Sequence, residues 1–195
     1  MKNICVFCSS SDAIDEIYND EAKKLADLFI KKQLTLINGG AKVGMMTIMS
    51  EKIFKAKGKA IGIIPEIIND KGLACKSLTE LIITKDMSSR KKLMSKMSDA
   101  FIALPGGFGT LEELMEVLTL KQLEVHKKPI VILNTNGFYT KLIEQFNVFF
   151  KNNFTKSDYS NLYYITNSSE DAINYILNYK HQNIESKWFK TNLNL

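Results

Sequence analysis

Short, unbroken apolar runs alternate along the chain with longer runs of helical spacing. The short runs predict strands at Ile4–Cys8, Thr35–Asn38, Ala60–Ile64, Glu80–Thr84, Ala100–Leu104, Ile130–Leu133 and Tyr163–Thr166. The longer runs predict helices at Tyr18–Lys32, Met45–Ala56, Ser89–Met97, Thr110–Leu123, Phe138–Phe149 and Glu170–Tyr179. Regular alternation of the two predicts an α/β fold with a mainly parallel central sheet. Strands that are apolar throughout, not on alternate positions, need helices on both faces, which makes a three-layer sandwich. No linker or internal repeat interrupts the pattern. Residues 1–180 read as one domain, and 181–195 as a polar tail in which Trp188–Phe189 either docks or frays. A chain of 195 residues, 45% of them hydrophobic, holds one sizeable core and is short for two.

The segments after the strands carry the chemistry. SSSD follows the first, GGAKVG the second, PE the third and PGGFGT the fifth. In a parallel sheet these are all carboxyl ends, so they converge on one edge, where open α/β sheets bind ligands near the reversal of strand order. Glycines let backbone N–H groups approach a ligand, and at a helix N-terminus those groups favour an anion such as phosphate. Gly107, Gly109 and Thr110 are placed for that. The spacing is neither G-x-x-x-x-G-K-[ST] nor G-x-G-x-x-G, so a single mononucleotide phosphate suits it better than a P-loop or dinucleotide site. Thr110 and Glu113 also fit T-x-x-E, a capping box, which stands beside the ligand reading. Leu111, Leu114, Met115 and Leu118 follow core spacing. In DMSSRKKLMSKMSDAF, Met94 and Met97 fit the core. Arg90, Lys91 and Lys92 form either a solvated face or, on the glycine-loop side, a charged donor to phosphate or sugar.

Charge and cysteine content narrow the classes. The net charge is +5, with basic and acidic residues interleaved, which suits an anionic ligand better than nucleic acid. Cys5 and Cys8 form C-x-x-C, but positions three apart on a strand diverge, and no second cluster completes a zinc site. Three cysteines fit a reducing cytoplasm. The N-terminal apolar run is too short for a signal peptide, and no run of about 18 apolar residues predicts a membrane span. His126 and His181 read as surface residues, and no metal is expected.

LPGGFGTLEEL resembles the PGG-x-GT-x-x-E signature of the Lonely Guy (LOG) family, the cytokinin-activating phosphoribohydrolases once labelled lysine decarboxylases. Met87 to Met94 is similar to the family's M-x-x-RK-x-x-M, FCSSSD to its FCGSS, NGGAKVGMM to YGGG-x-x-GLM, IGIIPE to IGIIP, and KPIVILNTNGFYTKL to KP-x-x-LLN-x-x-G-x-Y. Together these cover roughly residues 3 to 150. Ala41 and Thr47 stand at usual glycines, Ser88 at a common histidine and Asn38 at a frequent tyrosine. The resemblance implies a Rossmann-like fold, usually a homodimer. It implies hydrolysis of a nucleoside 5′-monophosphate, AMP or a cytokinin riboside monophosphate, to free base and ribose 5-phosphate without a cofactor. Arg90 and Glu113 match the family's catalytic pair, with Glu112 the fallback if Glu113 only caps. Ser9, Gly39, Gly40, Lys91, Gly106, Gly107, Gly109 and Thr110 are the candidate contacts to phosphate and substrate. Molybdenum cofactor carriers resemble the same fold and carry a similar glycine signature, so a non-catalytic nucleotide or pterin carrier is the rival reading. A pyridoxal-dependent decarboxylase rests only on the old label.

Overall fold

The computed structural model describes residues 2–181. Its strands are β1 (Asn3–Phe7), β2 (Thr35–Asn38), β3 (Lys59–Pro65), β4 (Glu80–Thr84), β5 (Ala100–Ala103), β6 (Ile130–Leu133) and β7 (Tyr164–Thr166). Its α-helices are α1 (Glu16–Lys31), α2 (Gly44–Lys55), α3 (Glu66–Asn69), α4 (Met87–Met97), α5 (Phe108–Gln122), α6 (Thr140–Lys151) and α7 (Ser169–Asn178). The sheet order is β4-β3-β2-β1-β5-β6-β7, and every neighbouring pair is parallel. β1 lies inside the sheet: Ile4 sits opposite Leu36 on one side and Ala100 on the other. The chain winds outward from β1 to β4, returns to β5 and winds outward again. The reversal therefore falls between β1 and β5.

Alternation along the strands builds two cores. Ile4 and Val6 pack with Leu25 and Phe29 of α1, Met45 and Met49 of α2, and Ile173 of α7. Cys5 and Phe7 point the other way, toward Met94 of α4, Leu114 and Val117 of α5, and Phe146 of α6. Cys5 and Cys8 thus belong to different cores and are unpaired, the divergence expected for this spacing. Trp188–Phe189 lies outside the described residues.

Of the boundaries that move, three do so for evident local reasons. α4 begins at Met87, two residues early, because the Asp86 carboxylate accepts the Ser89 N–H at 2.7 Å. α5 begins at Phe108 because Gly107 takes the N-cap position. α6 begins late, at Thr140, because Asn136 and Gly137 adopt φ of 51° and 73° in a 3-10 turn. The sequence pattern also missed a strap. Ala41 and Ala74 form an antiparallel bridge, and the Cys75 N–H donates to Gly40 at 2.9 Å, closing residues 72–75 over the second glycine loop.

His126 is half-buried, not a surface residue. Its Nε2–H donates to the Val117 carbonyl at 3.0 Å, its Nδ1 accepts the Lys128 N–H at 3.2 Å, and its ring lies 5.4 Å from that of Phe101. Burial is the main force pushing its pKa down, to about 4 from 6.5. The unfolded chain binds this proton first, so the neutral ring's contribution is complete above pH 6.5 and drains away as pH falls toward 4. Melting temperatures across that interval should fall more steeply for wild type than for His126→Gln. Parallel curves would show that this ring does not carry the acid sensitivity.

Candidate active site

The loops after β1, β2 and β5 are joined backbone to backbone. The Ser9 N–H donates to Pro105 at 3.2 Å, and the Ser9 carbonyl accepts the Met45 N–H at 3.1 Å. Gly44, the first residue of α2, donates its N–H to the Asp12 carboxylate at 3.0 Å. Thr110, in the first turn of α5, donates its hydroxyl to the Cys8 carbonyl at 2.9 Å. Ser9, Gly44, Pro105 and Thr110 are thereby held in one cluster at the carboxyl edge of β1, β2 and β5, while Gly40 packs against Gly62 and Ile63 of β3. Asp12 was not among the candidate residues, although its place in SSSD ahead of a glycine loop marks it as a capping group.

Three of the helix starts at this edge, those of α2, α4 and α5, differ. α2 is satisfied by Asp12 and Ser9, and α4 by Asp86. α5 has glycine at its N-cap and no side-chain cap, and its first backbone acceptor, Gly107, is reached from Leu111 at 3.0 Å. The N–H groups of its first turn are those a helix leaves without intrahelical partners. A Cβ on Gly107 or Gly109 would meet nothing within 4 Å, so this turn opens outward. At Gly106 a Cβ would lie 2.1 Å from the Thr110 hydroxyl. That glycine is required by packing, whereas Gly107 and Gly109 keep the backbone accessible. The capping box does not form: Thr110 is inside the helix, and Glu113 turns elsewhere.

Glu113 meets Arg90. The guanidinium of Arg90 donates to its carboxylate, and the two residues are only 8% exposed each. Burial raises the pKa of Glu113 above the ordinary carboxylate range, opposed by the Arg90 charge. Gly39 lies under the guanidinium: a Cβ there would sit 2.9 Å from the Arg90 terminal nitrogen. Among the described residues three buried side-chain atoms have no hydrogen-bond partner: Thr47 Oγ1, Arg90 Nε and Thr135 Oγ1. All three stand in segments that follow a strand, β2, β4 and β6, at the carboxyl edge. Unsatisfied buried groups are costly, and of the three Arg90 Nε belongs to the pair with Glu113. Lys91 is turned to α5, where it pairs with Glu112 and, at 3.3 Å, with Glu116.

A doubly wound parallel sheet, with an open glycine-lined helix start at its reversal point and a buried Arg–Glu pair beside it, defines the class of α/β protein that binds ligands at the carboxyl edge of its sheet. The family described as "Possible lysine decarboxylase" matches residues 46–176. The cytokinin riboside 5′-monophosphate phosphoribohydrolase LOG5 of Arabidopsis thaliana is 36% identical over 191 residues, 96% of this chain and 84% of the relative. LOG1 of the same plant is 42% identical over 142 residues, 73% of this chain and 67% of the relative. Among solved structures, the molybdenum cofactor binding protein of Rippkaea orientalis superposes with a TM-score of 0.69 at 26% identity, over 90% of this chain and 95% of that one. The molybdenum cofactor carrier protein of Chlamydomonas reinhardtii gives 0.68 at 20%, over 90% and 96%, which is a likeness of fold. The chain belongs to the LOG family.

Two glycines separate packing from positioning. Gly44 has φ of +50°, and a Cβ there would sit 2.5 Å from the Ser9 carbonyl, so Gly44→Ala must move backbone. Gly44→Ala should cost roughly 1–3 kcal/mol in calorimetric stability. Gly39→Ala displaces only the ends of the Arg90 and Met46 side chains and should cost markedly less. Equal losses would contradict this division.

Proposed function

We propose that the protein is a nucleoside 5′-monophosphate phosphoribohydrolase, cleaving the N-glycosidic bond with water to give free base and ribose 5-phosphate. The observation that carries this reading is the buried Arg90–Glu113 pair one helical turn beyond an uncapped, glycine-lined helix start. From Gly109 to Glu113 is four residues, about 6 Å along the axis, on the same side of the helix. A 5′-phosphate on the N–H groups of Gly107, Gly109 and Thr110 brings its ribose toward Glu113. Ser9, Gly39 and Gly40 line the approach, and the spare Nε of Arg90 is a donor for sugar or phosphate.

The reaction builds positive charge on the sugar as the base departs. Glu113 stabilises that charge and takes a proton from the attacking water. The water oxygen bonds to the anomeric carbon, and the base leaves with the electrons of the broken bond and gains a proton. Anchoring the phosphate spends remote binding energy on orienting the reacting bond. Burial of Glu113 raises its affinity for a proton toward that of an effective base. The scheme calls on no cofactor. The names of the relatives support cytokinin riboside 5′-monophosphates as substrates. The decarboxylase label finds less support. Lys121 is the deeply buried lysine, but it lies at the far end of α5, about 20 Å from the glycine loop by helix rise. There it donates to the Leu162 carbonyl at 2.7 Å.

A homodimer belongs to this reading. Met115 on α5 and Phe154 after α6 are exposed and border an apolar groove with Leu118, Phe146 and Phe149, a face suited to a second copy. Sedimentation equilibrium should return twice the monomer mass, and a monomer at micromolar concentration would remove this part. A reducing cytoplasm suits three buried free thiols, and no helix among the described residues is long and apolar enough to cross a membrane.

Incubation with AMP and isopentenyladenosine monophosphate should release free base, separable by chromatography. Tight nucleotide binding without base release would favour a carrier, as named for the structural relatives. Glu113→Gln should lower kcat by roughly 10²–10⁴ while calorimetric AMP binding persists. Turnover at the wild-type rate in that variant would remove Glu113 from the chemistry.

A further inference from the structure

α4 and α5 present two pairs of neighbours to each other. Arg90 meets Glu113 in the interior, and Lys91 meets Glu112 and Glu116 nearer the surface. The Lys91 side chain is itself mostly covered, at 17% exposure, whereas those of Glu112 and Glu116 are 54% and 38% exposed. Lys91, Glu113 and Glu116 also line one small cavity with Phe7 and Met94. Lys91 therefore stands between the buried carboxylate and two surface carboxylates on its own helix.

We propose that Lys91 is a positioning residue: held by Glu112 and Glu116, it fixes α4 against α5 and offsets the two carboxylates that flank Glu113, keeping Glu113 anionic beside Arg90. This rests on Glu113 being the working carboxylate of the phosphoribohydrolase reading. The charged and titratable groups around Glu113 are few. Arg90 and Lys91 face it from α4, and Glu112 and Glu116 from α5. From β1 and the residue after it come the Cys5 and Cys8 thiols, both pushed up by burial and so neutral. Of these, Arg90 and Lys91 favour the carboxylate, and Glu112 and Glu116 oppose it. Glu112 and Glu116 thus have a double effect. They destabilise the charge on Glu113 directly, and they anchor the cation that restores it.

The test pairs a titration with a rate profile. Carbon NMR of the Glu113 side-chain carboxyl, in protein labelled at glutamate, should titrate at higher pH in Lys91→Gln than in wild type. Lys91→Arg should return toward wild type. In kcat/KM for AMP, the ratio of wild type to Lys91→Gln should grow several-fold from the plateau to the foot of the acid limb. A Glu113 titration that stays in place, or a ratio constant with pH and accompanied by weaker ribose 5-phosphate binding, would overturn the proposal and make Lys91 a direct ligand contact. If wild type releases no base from any nucleotide, the phosphoribohydrolase reading fails. The NMR titration still decides whether Lys91 holds the charge of Glu113.

Discussion

Taking one arginine and one glutamate out of water together is the costly act around which this molecule is arranged. Each charge loses hydration worth several kcal/mol, and their mutual attraction returns it only in tight geometry. The geometry has requirements on both sides. α4 must start early enough to aim Arg90, which Asp86 ensures by capping it. α5 must be tethered at its first turn, which the Thr110 hydroxyl does through the Cys8 carbonyl. Gly39, lacking a side chain, leaves room for the end of the guanidinium. Apolar residues of the same size would hold the two helices together as well or better. The pair's persistence in the interior, with one guanidinium nitrogen left over, therefore points to chemistry more than to stability.

The two glycine loops divide the labour of the carboxyl edge. The loop before α2 resembles an anion site, yet the protein fills that helix start itself with Asp12 and the Ser9 carbonyl. The loop before α5 is left open. An internal carboxylate at one start and a ligand anion at the other use the same physics of exposed N–H groups. One serves as a rivet and the other as a receptor.

Much of this was legible in the chain. The seven strands were marked by apolar runs such as Ala100–Ala103 and Ile130–Leu133, because a sheet covered on both faces leaves no polar position to blur the signal. Glu113 drew attention by its place after a glycine loop, and Arg90 by its helix starting after the fourth strand, on the side of the glycine loops, and by its likeness to M-x-x-RK-x-x-M. Less legible was everything decided by a single backbone angle or a distant partner. Thr110 satisfied the spacing of a capping box, but Gly107 took the cap and sent the hydroxyl across the sheet to Cys8. Lys91 read as either a solvated side chain or a donor to phosphate or sugar, since nothing local announced that Glu112 and Glu116, more than twenty residues on, would meet it. His126 looked like a surface residue because its partners, Val117 and Phe101, come from other elements. Position on an edge follows from pattern; pairing across it follows from tertiary contact.

β1, the first of the seven strands in chain order, lies inside the sheet, so in the nascent chain it is made before either of its neighbours. β1 pairs with β2 within about 35 residues and then waits for β5 at Ala100–Ala103. Until α5 has also emerged, neither the open helix start nor Glu113 exists. The half-sheet β4-β3-β2-β1 meanwhile presents one flank of β1, apolar on both faces, with no neighbour. Such an unpaired edge is the part of the chain most exposed to mispairing with other chains. Translation pauses or truncations between residues 40 and 100 should therefore matter more for solubility than equal ones after α5, where both flanks of β1 are already closed.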